Sequence, residues 1–338
     1  MVTLKDISKV TGYSITTVSK ALNGYTDVND DTREVIKRVS AKLGYVPNYQ
    51  ARGLVMKRSW TIGIVMDEIS GLGVRHPLFS EVLDSFKKEV EKSGYDIMFL
   101  SLSVGDMTMN TYLEHARRKG VDGVFIIVTD FDSKQYKTIS ESEIPCVVFD
   151  HISANIYNFT TNNQKGIELA FNHLYELGHR KIAHIYGSSI TLAGHNRMTT
   201  YKQALKNNNI EFKKEYLVDG DMFNFDGGYR AMDYILNLED KPTGIICASD
   251  LQALGAIRRL KNSSYSCPED FSIVGFDGTE MNQFASPRLT SVRQDTSRVG
   301  HEAADYLMKI ISKEITNKAE TIIIEPDLLL GESTRICN

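Results

Sequence analysis

The chain has 338 residues, 42% hydrophobic and 24% charged, which suits an ordinary globular protein of two or three domains with a sizeable core. Charged residues within Met1–Asp6 stand where an export signal needs an apolar stretch, and runs such as Val124–Val128 are too short to span a bilayer, so a cytoplasmic protein is expected. Cys146, Cys247, Cys267 and Cys337 lie far apart without a CxxC pair, and Cys146 and Cys247 sit in apolar runs, as reduced core cysteines do. The net charge of −4 is unevenly spread, because residues 1–58 hold ten Lys/Arg against five Asp/Glu. A basic end has meaning as a nucleic-acid site only if it folds into a reader.

From Thr3 to about Leu43 the pattern predicts three short helices, each opened by a capping residue. Thr3 precedes Leu4-Lys5-Asp6, Ser14 precedes Ile15-Thr16-Thr17-Val18, and Asn29 or Asp30 precedes a helix carrying Val35, Ile36, Val39 and Leu43. Gly12 separates the first two, and Ile7, Val10, Val18, Ala21 and Leu22 supply apolar positions for one miniature core with the third. A second helix enters the major groove only if its N-terminal side chains reach base edges while the first braces it on the backbone. Ile15, Thr16 and Lys20 take such outward positions, with Ser14, Thr17, Ser19 and Asn23 placed for nearby bases or phosphates. A three-helix bundle without nucleic acid fits the periodicity equally well.

After Asn48–Lys57, β-branched runs alternate with amphipathic stretches, the pattern of parallel βαβ units. Strand candidates are Thr61–Met66, Asp96–Ser101, Gly123–Val128, Cys146–Phe149, Ile182–Tyr186, Gly244–Ala248 and Ser272–Phe276. Helical stretches cover 80–93, 164–177, 197–208, 227–238, 251–261 and 296–312. Two groups of units predict two doubly wound lobes with a changeover near Tyr157–Asn163, whose ligand lies outside the carboxyl ends of the strands. No HxxxH or HExxH spacing, nucleophile elbow or phosphate cradle occurs, so His76, His151 and His195 read as surface or supporting residues and neither a metal, a cofactor nor catalysis is expected.

Val2-Thr3-Leu4-Lys5-Asp6-Ile7 followed by Thr16-Thr17-Val18-Ser19-Lys20-Ala21-Leu22-Asn23 closely resembles the opening of the lactose-repressor/galactose-repressor (LacI/GalR) family. The resemblance continues through Leu43-Gly44-Tyr45-Val46-Pro47-Asn48 and Ala51-Arg52-Gly53-Leu54 and on to about residue 335. It implies a helix-turn-helix head (1–46), a hinge helix and linker (47–59) and an effector-binding, dimerising core (60–338) like the periplasmic sugar-binding proteins. The first lobe is expected over about 60–160 and 292–325, the second over about 161–291 and 326–338. In such regulators a hinge leucine from each subunit wedges into a minor-groove step. Leu54 matches it, with Ala51 beside it and Lys57 as a phosphate contact. An apolar wedge must unstack a base step, which the kinked duplex offsets by further contacts. Gly53 keeps such a helix marginal when free of DNA.

For the pocket, Gly194-His195-Asn196-Arg197 resembles the family's approach to an effector-binding arginine, and Val274-Gly275-Phe276-Asp277 resembles its strand ending in an effector-binding aspartate. A planar guanidinium and a carboxylate together can hold vicinal hydroxyls of a sugar. The pair suits a purine as well, and a sugar is the expectation because the aromatic pair that would sandwich a base is not fixed by the sequence. Phe79, Phe223, Asp150, Ser249 and Asp250 match pocket or near-pocket positions, with lobe packing or an Arg–Asp pair as the plain alternative. The loop Asp67–Pro77 is longer than the family's, and one extra residue stands near Met222. Helices 80–93 and 251–261 with segment 278–284 match subunit-pairing surfaces. The expected function is therefore a homodimeric repressor on pseudo-palindromic operator DNA, controlled by a small molecule, inducer or corepressor. A solute-binding receptor or a sugar- or nucleotide-processing enzyme with an appended helical domain is the alternative.

Overall fold

The computed structural model describes residues 2–23, 25, 27–45, 58–67, 73–104, 107–108, 111–316 and 318–337. The chain divides into two compact units, Met1–Ser59 and Trp60–Asn338. The expected hinge residues Ala51, Leu54 and Lys57 lie outside the described residues.

The first unit holds α1 (Leu4–Thr11), α2 (Ile15–Leu22) and α3 (Asp30–Leu43). Each begins where a side chain satisfies N-terminal backbone donors or its own cap. Asp6 accepts from the backbone N–H and the hydroxyl of Thr3 at 3.0 and 2.7 Å, Ser14 accepts from the Thr17 N–H, and Asn29 from the Thr32 N–H. Ile7, Val18, Ala21, Val28 and Ile36 form the core, with Leu4, Leu22, Val39 and Leu43 packed on it. Val10, expected inside, is 61% exposed. The buried stripe of α1 runs through Leu4 and Ile7, and Val10 lies about 60° beyond Ile7 on the side away from Leu4. Val28, ahead of α3, joins the core in its stead.

The second unit is built on two six-stranded sheets. The first contains β1 (Thr61–Met66), β2 (Asp96–Phe99), β3 (Gly123–Val128), β4 (Cys146–Phe149), β5 (Tyr157–Thr161) and β11 (Thr321–Ile324), in the order β11-β5-β4-β3-β1-β2. The second contains β6 (Ile182–Tyr186), β7 (Leu217–Asp219), β8 (Gly244–Cys247), β9 (Ser272–Asp277), β10 (Thr290–Arg293) and β12 (Asp327–Leu329), in the order β12-β10-β9-β8-β6-β7. Pairing is parallel throughout except between β10 and β12. Tyr157–Thr161, expected as a changeover, is thus a strand of the first sheet, and the chain passes to the second lobe after it.

Helices cover both faces of each sheet, because parallel strands are apolar on both sides. In the first lobe α4 (Pro77–Lys92) and α11 (Thr296–Ser312) pack one face through Val82, Phe86, Val299 and Leu307. The other face meets α5 (Tyr112–Lys119) and α6 (Lys134–Ser140) through Leu113, Ala116 and Ile139. In the second lobe α9 (Phe225–Leu236) and α10 (Asp250–Lys261) lie on one face, α7 (Asn163–Glu176) and α8 (Leu192–Asn207) on the other. Three crossings join the lobes, after β5, after β10 and after β11. Thr161 donates to Gln294 Oε1 at 2.7 Å and Asn162 Nδ2 donates to Glu325 Oε1 at 2.9 Å, so the crossings are hydrogen-bonded to one another. Among the described residues no helix is long and apolar enough to cross a membrane.

Candidate DNA-reading face and effector site

On the head, Ile15 is 47% exposed and Thr16 is exposed at the start of α2, as direct base contact requires. Ser14 is committed to capping α2, and its hydroxyl also meets that of Thr17 at 2.8 Å. Asn23 closes the helix and donates to Ser19 Oγ at 3.3 Å. Lys20 pairs with Asp27 on the surface, a contact worth little in water and readily exchanged for a phosphate.

In the core the carboxyl ends of both sheets converge on Arg197, which lies on α8 and is 3% exposed. Its Nε donates to Asn163 Oδ1 at 2.7 Å and its Nη1 to the Ala248 carbonyl at 2.5 Å. The Phe276 ring lies under it, 3.6 Å from ring centre to Cζ, and the Phe223 ring is 5.8 Å away. Burial lowers the pKa of Arg197, opposed by the carboxyl groups of Asp277, Asp150 and Asp250.

Two glycines admit the aromatic rings. A Cβ on Gly166 of α7 would sit 2.6 Å from the Phe276 ring, and one on Gly187 after β6 would sit 2.1 Å from the Phe223 ring. Asp150, Phe223 and Asp277 all hold positive φ, 52°, 58° and 132°, a conformation L side chains rarely adopt. Three candidate ligand contacts are therefore presented by strained backbone at the ends of loops and strands.

Asp277 ends β9 and accepts from Gln294 Nε2 at 2.8 Å, and through Gln294 it is joined to Thr161 in the first crossing. Burial, then the neighbouring Asp250, raises its pKa to about 8, with Arg197 opposing. Asp150 comes from the first lobe and accepts from Thr160 Oγ1 at 3.0 Å. Burial raises its pKa too, against the attraction of Arg197.

Asp250 and Ser249 are placed close by but have other work. Asp250 accepts from the Thr279 N–H, Asn282 Nδ2 and Ser291 Oγ at 3.0, 2.7 and 2.5 Å, so it anchors the 279–282 turn. Ser249 caps α10 by accepting from the Gln252 N–H and donates to the Phe223 carbonyl at 2.9 Å, which holds the Phe223 loop. Phe79 packs edge-on against Phe149, centroids 6.4 Å apart, and lies tilted against His76 at 4.4 Å. His76 is 5% exposed with no partner for Nδ1, and burial lowers its pKa to about 4. The sequence reading missed Asn163, Gln294 and Phe276, which orient Arg197 and Asp277. Among the described residues no cluster of three His, Cys, Asp or Glu is placed to hold a metal ion.

Residues 3–48 match the model of bacterial regulatory proteins of the lacI family, and residues 171–334 match that of the periplasmic binding protein-like domain. The HTH-type transcriptional repressor PurR of Mannheimia succiniciproducens is 30% identical over 338 residues, covering 99% of each chain. The probable HTH-type transcriptional repressor ExuR of Bacillus subtilis is also 30% identical, again over 99% of each. Among solved structures, the lac repressor dimer bound to operator and the anti-inducer ONPF superposes with a TM-score of 0.80 at 24% identity over 99% of each chain. The transcriptional regulator CelR–cellobiose complex gives 0.71 at 28% identity over 98% of this chain and 100% of that one. Head, lobes and site together define a DNA-binding transcription regulator with an effector domain like the periplasmic binding proteins. The chain belongs to the LacI family; it is a repressor of that non-enzymatic family.

Proposed function

We propose that the protein acts in the cytoplasm as a homodimer on a pseudo-palindromic operator, and that a sugar bound at Arg197 and Asp277 sets its grip. The carrying observation is the buried Arg197, stacked on Phe276 and flanked by Asp150 from one lobe and Asp277 from the other. A ligand touching both acids stabilises one lobe arrangement, and a two-lobed regulator needs such differential binding to be switched. Ile15, Thr16 and Lys20 read bases or phosphates, assisted by Thr17, Ser19 and Asn23, with Leu54 as the hinge wedge, Ala51 beside it and Lys57 on the backbone.

Dimerisation has a matching surface. Phe284 is 83% exposed and Met281 47% exposed, and both line a recess of about 320 Å³ with Phe225, Leu254 and Ile257. A second copy covering that patch places two heads for two half-sites.

A purine is the second reading, supported by the PurR relatives, since Phe79 or Phe223 suits a planar base as well as a sugar face. Selection of genomic fragments by the purified protein at varied salt tests the regulator reading. A melting-temperature screen with sugars and nucleobases then separates the two ligand classes. The reading fails if no fragment is enriched over bulk DNA with any ligand present.

A further inference from the structure

On the head, the α2 sequence Ile-Thr-Thr-Val-Ser-Lys-Ala-Leu carries a single charged side chain, Lys20. Its ammonium is paired with the carboxylate of Asp27, in the loop that joins α2 to α3, and the two side chains are 42 and 53% exposed. That loop is fixed on either side of Asp27. The Tyr25 N–H donates to the Lys20 carbonyl at 3.1 Å, and Arg33 of α3 donates through Nη2 to the carbonyls of Tyr25 and Val28 at 3.0 and 2.8 Å. Val28 itself is part of the core of the head. The loop backbone thus keeps Asp27 at the end of α2, and the long lysine side chain is the partner able to swing away.

A lysine on a phosphate releases a counter-ion and strengthens binding to every sequence alike. Lys20 leaves Asp27 at little cost in water. Beside DNA the same exchange strands a fixed carboxylate next to the polyanion, so a phosphate gains less from Lys20 than from an unpaired lysine. A guanine edge needs no exchange. An ammonium has three N–H donors, so Lys20 keeps one on Asp27 and directs another at O6 or N7, both uncharged acceptors. The pair therefore ranks a base above a phosphate, and the ranking comes from Asp27.

We propose that Asp27 is a positioning residue for base reading, which holds Lys20 back from phosphates and directs it at a guanine in each half-site. The inference rests on α2 being the helix that enters the major groove. The test measures binding of the full-length protein to its selected operator fragment and to a random duplex by fluorescence anisotropy, at about 50 to 200 mM salt. Asp27→Asn is expected to tighten binding to the random duplex and to lower the operator-to-random ratio about two- to fivefold. The salt dependence on random DNA should steepen by about one counter-ion. Asp27→Glu should restore the ratio in part, and on a Lys20→Ala background Asp27→Asn should leave it unchanged. Fragment selection with Asp27→Asn should relax a guanine preference at one position of each half-site. An unchanged ratio and salt slope in Asp27→Asn, beside a Lys20→Ala protein that has lost operator affinity, overturns the inference and leaves the reading of α2 intact. A change that persists without Lys20, or a parallel loss on both duplexes with a lower melting temperature, overturns it in the same way, since Asp27 would then be a bulk charge or a loop anchor. Lys20→Ala that binds both duplexes as the wild type does overturns both.

Discussion

The carboxylate of Glu81 on α4 accepts a hydrogen bond from the backbone N–H of Glu280 at 3.1 Å, and so ties the first lobe to a turn of the second. Its other oxygen accepts from Thr296 Oγ1 at 3.1 Å, at the start of α11. The turn that Glu280 opens is held from behind by Asp250, and it follows Asp277 by three residues. A ligand that moves Asp277 therefore pulls on a segment fastened to the opposite lobe. Glu81 borders a groove of about 1240 Å³, lined also by Thr279, Arg288 and Arg298, that contains none of the candidate effector residues.

Removing this tie should change how much ligand is needed to switch the protein. Glu81→Ala loses a charged hydrogen bond at a partly exposed position, about 1 kcal/mol, or roughly fivefold in ligand concentration. Glu81→Gln keeps an acceptor and should shift less. Operator release followed against ligand concentration reads both, and curves that superimpose on the wild type would show the tie to be merely structural.

Arg197→Ala should abolish the ligand response and leave operator binding in place, since the head is a separate compact unit. It also removes the positive charge that favours ionisation of buried Asp150 and leaves Asn163 and the Ala248 carbonyl without their donor, which destabilises the core. Arg197→Lys keeps the charge, loses the planar stack on Phe276 and should fold nearly as well without the response. Leu54→Ala is the opposite case, with specific operator binding weakened far more than binding to random DNA. Parallel titrations on operator and random duplex decide, and an Arg197→Lys protein that still responds normally refutes the assignment.

The pH dependence of stability follows from two buried groups with opposite signs. Burial and Asp250 lift the Asp277 carboxyl to about 8, so from about pH 4 to pH 8 the native state holds a proton that the unfolded chain has released. Stability from this group falls as pH rises through that window. Burial holds His184 down at about 4, so its contribution is full above the unfolded value of about 6.5 and is lost as pH falls toward 4. Asp277→Asn should flatten the alkaline limb of the melting-temperature profile, from about pH 6.5 to pH 8, and steepen the rise between about pH 4 and pH 6.5, where the two groups oppose each other. An alkaline limb as steep as in the wild type would mean that Asp277 is ionised in the native protein.

Legibility in the sequence followed the range of the interactions. The β-branched runs Thr61–Met66, Gly123–Val128 and Ile182–Tyr186 coincide with observed strands, because strands buried on both faces carry their own apolar signature. Tyr157–Thr161 escaped because Asn158, Thr160 and Thr161 are polar yet buried, satisfied by partners such as the Glu320 carbonyl. The eight-residue α5, Tyr-Leu-Glu-His-Ala-Arg-Arg-Lys, is too short and too charged to show a clear stripe. Arg197 and Asp277 stood out as motifs. Asn163 and Gln294 did not, since their roles come from contacts made 34 and 17 residues along the chain.

The packing beneath Arg197 offers the sharpest single test of how fold and site are joined. Gly166 lies inside α7, where alanine would ordinarily favour the helix by about 1 kcal/mol. Here the added methyl would lie 2.6 Å from the Phe276 ring and 3.1 Å from Val292, both fully buried. At 2.6 Å the methyl and the ring cannot both keep their places, and a shift of the ring disturbs the guanidinium it supports at 3.6 Å. Overpacking of this kind costs about 1 to 3 kcal/mol, which exceeds the helix gain. Gly166→Ala should therefore lower the melting temperature of the core and weaken ligand binding together, with the operator affinity of the ligand-free protein retained. Alanine at 166 that raised the melting temperature and left ligand affinity untouched would show that Phe276 does not position Arg197.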